Sequence, residues 1–267
     1  MKRIIYALAV LSTIIVGSCD LINTSGDTSG LSNEEVINGL KTALKVGTDT
    51  SVTMLNAVGG YYLDEKVKIP FPQEAAIIEQ NIDKIPGLGT TLITEFVQKM
   101  NRSAEDAASE AGGIFASAIT NMSVSDGWEI LNGRNPAATA GTLKSGTAFD
   151  STAATQFLLA TTYNQLAAAF EPKIATSLDK KLIGNVSASS SWSTITTSYN
   201  TVVENDFLNL LNLEPVNTDL PNYVTDKALD GLFYKIGQEE IKIRRDPWKW
   251  VTTTVGDILT KVFGGNK

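Results

Sequence analysis

Between Leu92 and Leu131 the apolar residues Val97, Met100, Ala104, Ala107, Ala111, Ile114 and Ala118 recur at intervals of three and four, which places them on one face of a helix. That stripe is mostly alanine, with Gly112 and Gly113 beside it, and it predicts a central helix that its neighbours approach closely. Arg102, Glu105, Asp106, Ser109 and Glu110 fall on the opposite face.

The rest of the chain fits around such an element. Ser32-Asn33-Glu34-Glu35 is a capping box, and Leu31 and Val36 are placed to staple the helix start. This first helix runs through Leu40, Leu44, Gly47, Ser51, Leu55 and Val58 to a stop at Gly59-Gly60. In KVKIPFP, Val67, Ile69 and Phe71 alternate with lysines and prolines; Pro70 and Pro72 exclude an interior strand and predict an extended arm over the bundle. Pro72 suits the first turn of a helix through Ile78 and Ile82, closed by Pro86-Gly87. Ser123 caps a short helix ending at Asn132-Gly133, and residues 134–152 read as a surface loop. Phe157, Leu158, Leu166 and Phe170 mark the next helix, after which Pro172 restarts the chain and Gly184 ends the segment. Trp192, Ile195, Tyr199, Val202 and Val203 keep helical spacing into Phe207 and Leu210. Val224, Ala228, Leu232 and Ile236 carry a helix ending near Arg245, and Asp246-Pro247 opens a last one through Trp248, Val251, Val255, Ile258, Leu259 and Val262. The expected fold is all-α: a single-domain multi-helix bundle of about eight helices over 31–265, with a short extended Pro-containing arm.

Lys2 and Arg3 precede an apolar run from Ile4 to Val16, too short to span a bilayer comfortably, and small residues follow. The run ends VGSC, and Cys19 is the only cysteine. The layout resembles a bacterial lipobox, in which the leader, here 1–18, is removed and the cysteine carries lipid. Residues 19–30 then form a flexible tether reaching ~20 Å. The expected address is the bacterial cell envelope, lipid-anchored at the outer membrane and facing the periplasm. Asp20 also resembles an inner-membrane retention signal, although not every bacterial group obeys that rule.

Among 267 residues there is no histidine, which excludes Ser-His-Asp and Cys-His catalysis and every His-ligated metal site. With one cysteine there is no internal disulfide and no thiolate cluster, and no metal or other cofactor is expected. Without the leader, 20 basic residues face 29 acidic ones, a charge of −9 that argues against nucleic acid as a partner.

Seven segments together resemble one bacterial family, domain of unknown function 4197. They are SNEEVINGLKTAL (32–44), VKIPFP (67–72), MNRSAEDA (100–107), IFASAITNMSVSDGWEIL (114–131), AATQFLLATTYNQLAAAFEP (153–172), YVTDKALDGLF (223–233) and EEIKIRRDPW (239–248). The family pattern passes from ILNG almost directly into the AAT helix, so residues 134–152 are an insertion, and Gly127 stands where the pattern usually has Ala. The resemblance implies an exported, often lipid-anchored, mainly helical protein, and it implies no reaction.

Within the matching segments, Asn101, Glu105 and Asp126 are candidates for a carboxylate-lined site that does acid–base work or holds a cation. The alternative has Glu105 solvated or ion-paired and Asp126 supporting its helix start. Glu240, Arg244 and Asp246 form a second candidate group, read either as a partner- or lipid-contacting patch or as helix-end electrostatics with an exposed Glu240–Arg244 pair. Trp248 and Trp250 are candidate interfacial anchors, with packing as the competing role. Tyr61 and Tyr62 either line a pocket or pack the hinge of the arm. Three functions stay open: a membrane-tethered module binding an envelope protein or scaffolding the envelope, a carrier or sensor of an apolar ligand between helices, and a carboxylate-based hydrolase.

Overall fold

The computed structural model describes residues 31–82, 89–137, 149–205, 214–249 and 253–263, excluding the side chains of 248, 253–255 and 262–263. Several sequence expectations lie outside this set: the leader, Cys19 and the tether, the Pro86-Gly87 stop, most of the 134–152 loop, Phe207 and Leu210. So do Trp250, Val251 and the side chains of Trp248, Val255 and Val262.

The described residues form nine α-helices and no strand, an all-α fold. They are α1 (Asn33–Asn56), α2 (Ala76–Asn81), α3 (Thr90–Ala107), α4 (Ala111–Asn121), α5 (Val124–Leu131), α6 (Ala153–Asp179), α7 (Ala188–Glu204), α8 (Leu220–Arg245) and α9 (Thr253–Phe263). At Ser32 and Ser123 the helix starts where the sequence places its cap. The Ser32 hydroxyl accepts from Glu35 N (3.2 Å) and Glu35 returns to Ser32 N (2.8 Å). Leu31 and Val36 both lie against the core. The same reciprocal box joins Ser123 and Asp126 at α5, and Gly133 closes that helix with φ +70.

The most extensive helix contacts are α6 against α8 and α1 against α8, so the centre is not the 92–121 stretch that the alanine stripe pointed to. That stretch is also two helices. A 3-10 turn at Ala108–Glu110 divides α3 from α4, and the Ser109 hydroxyl there turns back to Asp106 O (3.4 Å), a local bond that competes with the helix. The stripe holds from Met100 to Ala111: Met100, Ala104, Ala107 and Ala111 are fully buried, whereas Val97 is only partly so. Beyond it Phe115 and Ile119 take the core while Ile114 and Ala118 sit at its margin, because the larger Phe115 ring packs edge-on against Phe233 (5.9 Å). Gly112 and Gly113 have no neighbour within 4 Å of where a Cβ would stand, so they are not the close-approach residues. Gly127 is one. A Cβ there would collide with the Ile37 side chain, and its absence lets α5 lie close on α1.

Three boundaries differ from the spacing. Helix α1 ends at Asn56, leaving Val58 exposed; Gly59, with φ +85, belongs to the turn that follows. Pro72 precedes a 3-10 turn (Gln73–Ala75) instead of opening α2 directly. Pro172 does not restart the chain but lies inside α6. Ala168, whose carbonyl loses its partner to the proline, is on the exposed face with Pro172, where solvent can reach it.

Overpacking tests the alanine contacts. Ala107→Leu and Ala111→Leu are each expected to cost about 1–3 kcal/mol or more. Glu110→Ala, on an exposed residue paired with Lys173 at 3.3 Å, should stay within about 0.5 kcal/mol of wild type. Urea melts of the three variants check this, and two tolerated leucines would contradict the packing.

Candidate functional site

Residues 57–72 leave α1 without forming regular secondary structure beyond turns, and two side chains one helical turn apart on α3 hold them down. Asn101, fully buried, accepts from Ile69 N and donates to Ile69 O, both at 2.8 Å, as a strand neighbour would, and it also donates to Val97 O (2.8 Å). Glu105, 1% exposed, accepts from Tyr61 N (3.2 Å) and Tyr62 N (3.3 Å) while Arg102 neutralises its other oxygen at 3.2 Å. The expectation of Glu105 facing away from the core is thereby corrected. A buried carboxylate needs partners, and the arm supplies backbone N–H groups for it.

The arm's own side chains complete the attachment. Val67, Ile69 and Phe71 are buried as their alternation predicts, and Phe71 joins Phe96 and Trp192 in an aromatic group. Tyr61 is fully buried and donates to Ala228 O (2.8 Å); burial first, and Glu105 second, push its phenol far above the usual range. A Cβ at Gly231 would stand 2.9 Å from the Tyr61 ring, so this glycine gives the ring its place on α8. Tyr223 donates to Pro70 O (3.1 Å), and burial followed by Glu74 raises it to about 12. Asp64 is held below the carboxylate range by its hydrogen bond to Lys235 and then by Lys66 N.

So pinned, the arm forms one wall of an open cleft of about 500 Å³. Tyr62, Glu65, Lys68, Pro70 and Phe71 come from the arm, Glu79 from α2, and Ile93, Thr94 and Val97 from α3. Lys68 lies over the Tyr62 ring (5.0 Å to the centroid) and pairs with Glu65 at 3.3 Å. Of the two tyrosines, then, Tyr62 lines a cleft and Tyr61 packs the hinge.

The second candidate group is a buried clamp, not an exposed pair. Helix α6 has no side-chain cap of its own at Thr152. Glu240 supplies one from α8, accepting from Ala154 N (3.0 Å), Thr155 N (2.8 Å) and the Thr155 hydroxyl (2.7 Å). A carboxylate at a helix N-terminus also meets the positive end of the helix dipole. Arg244 adds two bonds to the same carboxylate (2.9 and 2.8 Å), donates to Ile130 O (2.9 Å) and lies 5.4 Å from the Phe149 ring centroid. The Glu240 and Arg244 side chains are 5% and 8% exposed. One ion pair thus ties α5, α6 and α8 together.

Asp126 and Asp246 belong to neither cluster. Asp126 completes the α5 capping box and stands at the edge of a groove of about 310 Å³ between α4 and α6, with Ser117, Asn121, Thr161 and Gln165. Asp246 caps the end of α8, and its hydrogen bond with Arg245, then Lys249, lowers its carboxyl. It does not open α9: Pro247–Lys249 is a 3-10 turn, and α9 begins at Thr253. The structure therefore joins Asn101 with Glu105 and Glu240 with Arg244. Sequence reasoning passed over Glu65, Lys68 and Glu79, for which the one available signal was the alternation that turns Lys66 and Lys68 away from the core. Among the described residues no group of three His, Cys, Asp or Glu side chains is arranged to hold a metal, and no helix is long and apolar enough to cross a membrane.

The model of the family described as Protein of unknown function (DUF4197) matches residues 30–148 and 145–264. The chain belongs to that family. The two matches meet at 145–148, inside the stretch that separates ILNG from the AAT helix, and between them they include the arm, its two α3 anchors and the Glu240 clamp of this DUF4197 member. No curated protein and no solved structure matches the chain.

Proposed function

We propose that the chain is an exported lipoprotein, anchored through Cys19 at the outer membrane and facing the periplasm, whose helical body acts by binding an envelope partner. The observation that carries the binding reading is the employment of two of the buried carboxylates, Glu105 and Glu240. Glu240 accepts five hydrogen bonds, and Glu105 is divided between two backbone N–H groups and Arg102. A general acid or base must instead turn a free oxygen toward substrate. The crease between α1 and α8, lined by Leu40, Leu44, Ile236 and Ile243 among others, holds about 20 Å³, room for one water and not for an acyl chain. Among the described residues, that favours binding on the outside over carriage of an apolar ligand in this crease. The anchor rests on the VGSC sequence and on the polar residues 20–30.

Metabolic labelling with a fatty-acid analogue tests the anchor. Label is expected on the wild type and absent from Cys19→Ala, which should accumulate unprocessed or be released. Equal labelling of the two would overturn the lipoprotein reading. Pull-down from native membranes with the Cys19-anchored form tests the partner: enrichment of one envelope component over the Cys19→Ala form is expected, and none would count against binding.

A further inference from the structure

We propose that the cleft behind the arm receives an extended peptide segment in which apolar and basic side chains alternate. This rests on the binding reading above and is independent of the anchor. The cleft volume of about 500 Å³ lies in the range of small-ligand and short-peptide sites, about 300–1,000 Å³. Its floor is apolar, with Phe71, Ile93 and Val97, and suits a side chain such as leucine. Its rim is acidic. Among the described lining residues Glu79 and Glu65 are exposed on two sides of it against a single lysine, Lys68, which is laid on Tyr62 and paired with Glu65. With a formal charge of −7 on the whole chain, the field steers basic segments in and turns phosphates and anionic headgroups away. The wall is also pinned: two buried polar residues, Asn101 and Glu105, hydrogen-bond an arm without regular structure, and such anchoring lowers the ordering cost of binding.

The test titrates the purified full-length protein into a fluorescein-labelled peptide of alternating lysine and leucine, and into its glutamate–leucine counterpart, reading anisotropy. Saturable binding of the basic peptide alone is expected. Glu65→Lys with Glu79→Lys should weaken it at least tenfold without moving the urea midpoint, since both residues are exposed, and Tyr62→Ala should weaken it too. No saturation, equal binding of the acidic peptide, or indifference to the double charge reversal would each overturn the inference. Preferred binding of the acidic peptide, abolished by Lys68→Glu, would overturn it and leave the broader binding reading standing.

Discussion

Replacing Glu240 by alanine is expected to remove about 3–5 kcal/mol of stability, the usual cost of breaking a buried ion pair by deleting one partner. Three groups lose their acceptor together: Ala154 N–H, Thr155 N–H and the Thr155 hydroxyl. Arg244 would keep Ile130 O and the Phe149 ring but would hold its charge at 8% exposure without the carboxylate. The first turn of α6 should fray before the rest of the protein unfolds. Urea denaturation gives the size of the effect, and amide exchange at 153–156 locates it. A loss under 1 kcal/mol would mean that the clamp is not what joins α5, α6 and α8.

The second large effect is expected at Asn101. Asn101→Ala orphans the N–H and the C=O of Ile69, each worth about 1–3 kcal/mol when buried without a partner, for a total of about 2–6 kcal/mol. Here the arm should loosen while the helices stay formed. The Ile69 amide should exchange far faster at nearly unchanged far-ultraviolet circular dichroism. If exchange at Ile69 stays slow, the side chain is not the clamp, and the pinning of the cleft wall must have another source.

What the sequence made legible was local. The boxes at Ser32–Glu35 and Ser123–Asp126 close within four residues, and the alternation of Val67, Ile69 and Phe71 announced which side of the arm is buried. What it concealed depends on partners far along the chain. Glu105 meets Tyr61 from 44 residues away and Glu240 meets Ala154 from 86, so a helical wheel could only place them among the polar residues. The Glu240–Arg244 spacing was visible, but its burial was not, because the shielding comes from α5 and α6. Pro172 misled for a related reason: its cost depends on whether the freed carbonyl faces water, which is decided by the neighbours of α6. The cleft was equally hidden, since its wall comes from the arm, α2 and α3 together.

The central claim is that the buried polar side chains Asn101, Glu105 and Glu240 hold the shape of the chain and are not kept for chemistry. Groups kept for chemistry commonly cost stability, so replacing them tends to leave a protein as stable or more so. The direct measurement is the urea midpoint of Asn101→Ala, Glu105→Gln and Glu240→Gln beside the wild type at neutral pH. All three midpoints should fall, with Glu240→Gln losing its charge-assisted bonds to Arg244 and the α6 start. Any one of the three standing at or above the wild-type midpoint would contradict the claim and make that residue the first candidate for catalysis.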